Sequence, residues 1–290
     1  MTVTLAPTRP EAGAGRTTFV TLAAREMHRF VVNPVFLAGV VLTALAVWNN
    51  GHTGITEIDT VNSYPAIFLG GFGMMATFWQ TRSMRDSEPV VGVTPTTLPM
   101  RTAALCAVAI VPFLCGVLSL IVFRLYQPVA GDWVYGAFSP PARIAVLVAQ
   151  MVLPTLGGPL LGVALGRWVR FPGAAFVLFL VIFGWVELAT ILTIWHPDSA
   201  PIAVLRLFSP FAFFTLHADS GGVTAWRGSP WFFIGWQLAL CAIAVLVALL
   251  RGAEGRLRSR IIRALGIAGV AAVIMLVLAA LGGFTHPLTA

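Results

Sequence analysis

Few residues in this chain could do chemistry, and the one that stands out sits where charge is costly. Glu187, in "FGWVELATIL", is the one acid inside a long apolar run. An ionised side chain at mid-bilayer costs about 2.5–3.5 kcal/mol on insertion scales. Fourteen Leu, Ile, Phe or Val residues between Phe171 and Ile194 offset that cost, at roughly 0.3–0.6 kcal/mol each. The run still inserts, and Glu187 is expected to face protein or water. Two readings stand: it lines a transport path, or it makes a structural hydrogen bond to a neighbouring helix. Gln150 carries the same pair of readings, with helix–helix bonding the plainer one.

The other reactive types form no constellation. His28, His52, His196, His217 and His286 lie away from the middles of apolar runs and make no i,i+4 pair, which gives haem or a metal little support. Cys106, Cys115 and Cys241 sit inside apolar runs without ligand spacing and read as small buried hydrophobes. His217 and Asp219, with Ser209 and Ser220 nearby, read as a solvated loop, because nothing in their spacing marks a reaction. All 18 basic residues are arginine, so a phosphate-binding G-x-x-x-x-G-K-[ST] loop is impossible. No catalytic set, metal or cofactor is expected in the chain itself.

One polar stretch is longer than a chain reversal needs. "TRSMRDSEPVVGVTPTTLPMR" runs from Thr81 to Arg101. Its front, "TRSMRDSE", reads as the start of a short helix. Arg82, Arg85, Asp86, Ser87 and Glu88 there suit a docking handle, since paired charges give an interface its register. A solvated connector is the plainer alternative.

Fifty-eight per cent of the 290 residues are hydrophobic and 10% are charged. A soluble domain is nearer a quarter charged, and the apolar runs here are about twenty residues long, enough to cross a bilayer as helix. The expected fold is an all-α polytopic membrane protein. Residues 1–17 read as a flexible cytoplasmic tail. Residues 18–33 form an amphipathic helix with Arg25 and Arg29 towards lipid headgroups. Spans follow at about 35–49, 62–80, 102–124, 143–166, 172–195, 231–250 and 262–282. The charged lead-in before the first span contains Glu11 and Glu26, so that helix reads as retained rather than as a signal peptide.

With the N-terminus inside, 14 of the 18 arginines fall on inner segments; only Arg124, Arg143, Arg206 and Arg227 face out. That bias fixes an expected topology, with the C-terminus outside. It also turns the +7 formal charge into a membrane signature rather than a nucleic-acid one. The stretch 201–217 carries Arg206 and Pro210 and is expected as short helices on the outer face.

Three features together resemble permease subunits of ABC transporters of the ABC-2 (type-2 exporter) family. They are the in-plane helix "LAAREMHRFVVNPVFLAG", the stretch "MRDSEPVVGVTPTTLPMRTAAL", and the outer region "LFSPFAFFTLHADS". The resemblance covers roughly residues 18–250. It implies an elbow helix at 18–33, a coupling loop at 81–101 that docks on a separate cytoplasmic ABC ATPase holding ATP-Mg, and a second permease copy or paralogue completing the pathway in the inner membrane. The family has six spans; the basic segment and seventh run in 251–290 are an addition. An ion-coupled secondary transporter is the alternative, with a lipid-modifying enzyme behind it. The first would need several intramembrane ionisable groups, and Glu187 stands alone.

Overall fold

The computed structural model describes residues 12–53, 64–86, 96–126, 140–195, 217–219, 222–224 and 229–281. Nearly all of them are helical. Among the described residues, four helices are long and apolar enough to cross a membrane: Leu98–Leu125, Ile144–Trp168, Pro230–Leu250 and Gly255–Leu281. A bent pair, Thr17–Val31 with Pro34–Asn49, makes a fifth if it is counted as one span. These helices are compatible with a multi-pass membrane protein.

Helix α1 (Ala12–Val31) and α2 (Pro34–Thr53) meet at a bend of 61°. Pro34 lacks an N–H and cannot continue α1. Instead it opens α2, and the Asn33 side chain accepts a hydrogen bond from the Val35 N–H at 2.9 Å. Asn as cap with Pro at the first helical position is the arrangement those residues favour. The helix start at Ala12 corrects the expectation of a flexible tail through residue 17.

A π-helical turn, Pro65–Gly71, runs into α3 (Phe72–Asp86). Next come α4 (Leu98–Ala107) and α5 (Ile110–Tyr126), nearly collinear parts of one apolar rod. Helix α6 (Pro140–Leu147), a second π-helical turn at Val148–Val152 and α7 (Leu153–Trp168) form the next rod. Pro154 supplies no N–H to the turn before it, and the helix widens there. Helix α8 (Ala174–Trp195) follows. A short antiparallel pair, β1 (His217–Asp219) with β2 (Gly222–Thr224), stands where His217 and Asp219 read as a solvated loop; the stretch expected as short outer helices lies, up to residue 216, outside the described residues. Helices α9 (Pro230–Leu250) and α10 (Gly255–Leu281) close the chain as an antiparallel hairpin. The Ser229 N–H donates to the Ala279 carbonyl at 3.0 Å across its far end.

Helix α7 is the centre of the bundle and packs on α3, α5, α9 and the first π-turn. Its glycines recur every fourth residue on the face that meets α3. A methyl on Gly158 would strike the Gly70 carbonyl, and one on Gly162 the Met74 carbonyl. One on Gly166 would come within 2.9 Å of the Phe78 carbonyl oxygen. Without side chains between them the two backbones approach closely, which is how helices associate where no hydrophobic force operates. At the same seam the Thr77 hydroxyl donates to the Pro159 carbonyl at 2.8 Å. On the other side Gln237 Nε2 donates to the Ala149 carbonyl at 2.9 Å, beside a core formed by Met151, Phe233 and Trp236.

Candidate functional site: the arginine-rich end of the bundle

The C-terminal ends of α3, α7 and α9 and the N-terminal ends of α4 and α10 gather at one end of the bundle. The last carbonyls of α7 have no partner within their own helix, and arginines from two other helices reach them. Arg85, on α3, donates to the carbonyls of Gly166 at 3.1 Å and Val169 at 2.9 Å. Arg251, just after α9, donates to the Arg167 carbonyl and lies 5.7 Å from the Trp168 ring centre. Trp168 Nε1 in turn donates to the Val247 carbonyl at 2.8 Å. Cations at a helix C-terminus also complement its dipole. The side chain of Arg167 itself is fully buried.

The amphipathic helix is fastened to the same end. Buried Gln80, on α3, donates to the Glu26 backbone carbonyl at 2.9 Å and to Glu26 Oε2 at 2.6 Å. Glu26 also pairs with Arg29 at 3.3 Å. Arg25 and Arg29 stay exposed. Glu26 was read as one more charge in the lead-in and Gln80 was not singled out. Their connection spans 54 residues, which no local pattern encodes.

The docking stretch is divided by the fold. "TRSMRD" is not a separate short helix; it is the end of α3, which runs unbroken to Asp86. Apolar spacing failed to extend the helix because its last turns leave the apolar layer. Arg82 reaches Asp86 at 3.6 Å, and the Asp86 side chain is 61% exposed. The Arg85 side chain is only 10% exposed and is held by α7, so it positions the helix end rather than presenting itself. Ser87 and Glu88 lie outside the described residues. The polar stretch resumes as α4 from Leu98, ahead of the expected span start at 102.

Gln150 is buried in the second π-turn, within the helix-packed interior. Glu187 is not covered: it is exposed, as are Phe183, Trp185, Leu188 and Ile191 around it. Among the described residues no neighbouring helix covers it. Helix α8 packs mainly through its first half, where Phe179 meets Gly71 and the Phe72 ring, centroids 6.4 Å apart. Among the described residues no three His, Cys, Asp or Glu side chains gather to hold a metal.

The geometry defines a helical bundle fit to cross a membrane several times, with its charge concentrated at one end. No protein-family model matches the chain, and neither a curated protein nor a solved structure does.

Proposed function

We propose that this chain is the membrane-spanning permease subunit of an ATP-driven ABC transporter of the ABC-2 type. It has no nucleotide site of its own. In this reading α2, α3 with its π-turn, α8 and the four long rods make seven crossings, with the N-terminus in the cytoplasm and the C-terminus outside. The observation that carries the reading is the Gln80–Glu26 clamp. It ties an amphipathic helix lying at 61° to the first span onto the helix that ends in Asp86. A soluble ATPase pressing on the stretch after Asp86 would therefore move α3 and α1 together. A second copy or paralogue supports the same reading, because exposed Glu187 needs a polar or watered neighbour at its depth. With that neighbour in place, Glu187 faces the pathway between subunits.

The test is isolation of the tagged chain from its native membranes in mild detergent, with mass spectrometry of what accompanies it. A stoichiometric soluble protein carrying a phosphate-binding loop, lost when Asp86 and Glu88 are reversed in charge, is the expected result. Arg85 is left intact in that experiment because α7 depends on it. A chain that purifies alone, and moves substrate on an ion gradient without ATP, would replace this reading with the ion-coupled one.

A further inference from the structure

One stripe of α10 runs from charge into apolar surface without a break. Arg256, Arg260 and Arg263 are exposed. At about 100° per residue they stand in line with Ile267, Val270, Ile274, Val277 and Leu281. Those five are 72%, 60%, 50%, 49% and 78% exposed. The buried positions, Ile261, Ala272 and Ala279, fall on the far side, and the last two sit in the core with Phe233 and Trp236 of α9. The basic segment was expected to be a loop leading into a span at 262. Instead the helix begins at Gly255, which takes the left-handed backbone (φ 51°) at the turn from α9. The arginines therefore ride on a helix, spread over about 10 Å along its axis, enough to cross a headgroup layer about 5–7 Å deep. Among the described residues none of the three makes an ion pair.

We propose that this stripe is a binding surface for an anionic phospholipid, its phosphate held by Arg256, Arg260 and Arg263 and its acyl chain laid along Ile267, Val270 and Ile274. The inference rests on the multi-pass reading alone and holds for a permease or any other bundle. Charge selects the occupant. Two copies of the chain in one membrane share an orientation, so pairing through this stripe would set the arginines of one against those of the other, with no acid on the stripe to relieve them. An anionic headgroup meets the same arginines with opposite charge, and basic clusters beside a span are attracted to anionic lipid.

The experiment reconstitutes the full chain in phosphatidylcholine vesicles carrying trace spin-labelled phosphatidylglycerol or spin-labelled phosphatidylcholine. The readout is the motionally restricted lipid fraction. The native chain is expected to prefer phosphatidylglycerol. Neutralising the stripe (R256Q/R260Q/R263Q) lowers the preference, by about fivefold per arginine. R258Q, on the opposite side, leaves it in place. Should the triple variant fail to reconstitute, R260Q alone asks the same question. An unchanged preference in the stripe variants overturns the proposal. So does efficient cross-linking of two copies through V270C in a chain whose three native cysteines are alanine, which would assign the stripe to a second copy.

Discussion

The rods Ile144–Trp168 and Gly255–Leu281 are both long enough to span, yet 72% of the most apolar eighteen residues of the first are buried against 11% for the second. The buried rod is the less apolar of the two. In water that order would be wrong, because apolar area drives burial. In lipid the solvent is as apolar as leucine, and burial goes to the helix whose surface others can approach closely. Helix α7 carries glycine at 158, 162 and 166 together with Thr155, and threads them against α3 and α5. Helix α10 carries Ile267, Val270 and Leu281 and turns them outward.

Glycine substitutions are the strongest way to break this comparison. In α7, Gly162→Val would set its Cβ against the Met74 carbonyl and the Thr77 hydroxyl, with two methyls still to place beyond it. Overpacking usually costs about 1–3 kcal/mol, and here backbone is the obstacle, so the upper end or outright loss of folded protein is expected. In α10, Gly269→Val meets nothing within 4 Å and should leave stability within about 0.5 kcal/mol. Thermal unfolding of the two purified variants is the check. Equal effects would mean that the bundle is not centred on α7.

A smaller break is available at the arginine-rich end. Arg85→Gln frees two α7 carbonyls from a charged donor and should cost about 2 kcal/mol, with Arg85→Lys recovering part of it. Asp86→Asn, one residue on and mostly exposed, should fall within about 0.5 kcal/mol. If the two variants lower the melting temperature equally, Arg85 is not the tie between α3 and α7.

These contrasts also show which part of the molecule was legible in the sequence. The apolar rods were legible because hydropathy reports the solvent a helix tolerates. The sharp entry at Asn33-Pro34 was legible because proline chemistry is local. The roles of Arg85 and Arg167 were not. Arg85 read as part of a docking handle and Arg167 as an arginine of an inner segment, and both turned inward, because their surroundings are made by residues distant in sequence: Arg85 bonds carbonyls 81 and 84 positions away. The glycine seam was half visible. Gly70, Gly71 and Gly73 mark a small-residue face within one run, but the partners at 158, 162 and 166 belong to a pairing of helices that no single run encodes. Helix ends were misplaced where charge enters a helix, at Ala12, Asp86 and Gly255, since apolar spacing stops before the hydrogen bonding does.

The Gln80–Glu26 clamp gives a weaker test of the same end. Gln80→Leu removes two donated hydrogen bonds, each worth about 1 kcal/mol net, and partly compensates with apolar volume. The helix should stay formed but part from α3 more often. Tryptic cleavage after Arg25 and Arg29 should then quicken several-fold in the detergent-solubilised chain while the melting temperature barely changes. Cleavage at the native rate would show that the packing of α1 on α4 holds it without the clamp.

The smallest expected effect on the fold is at Glu187, and that smallness is informative. Helix α8 leaves this carboxylate uncovered, so Glu187→Gln breaks nothing inside one chain. The melting temperature of the isolated chain in detergent should stay within about 0.5 kcal/mol of native stability. Insertion should if anything improve, since a charge costing about 2.5–3.5 kcal/mol at mid-bilayer is removed. In the permease reading proposed above, the partner of this carboxylate lies in a second subunit. On that reading, transport in the assembled complex should fall while docking of the proposed ATPase at the other end is unaffected. A variant that melts, inserts, docks and transports as the native chain does would strip Glu187 of any role between subunits and make α8 a lipid-facing helix like α10.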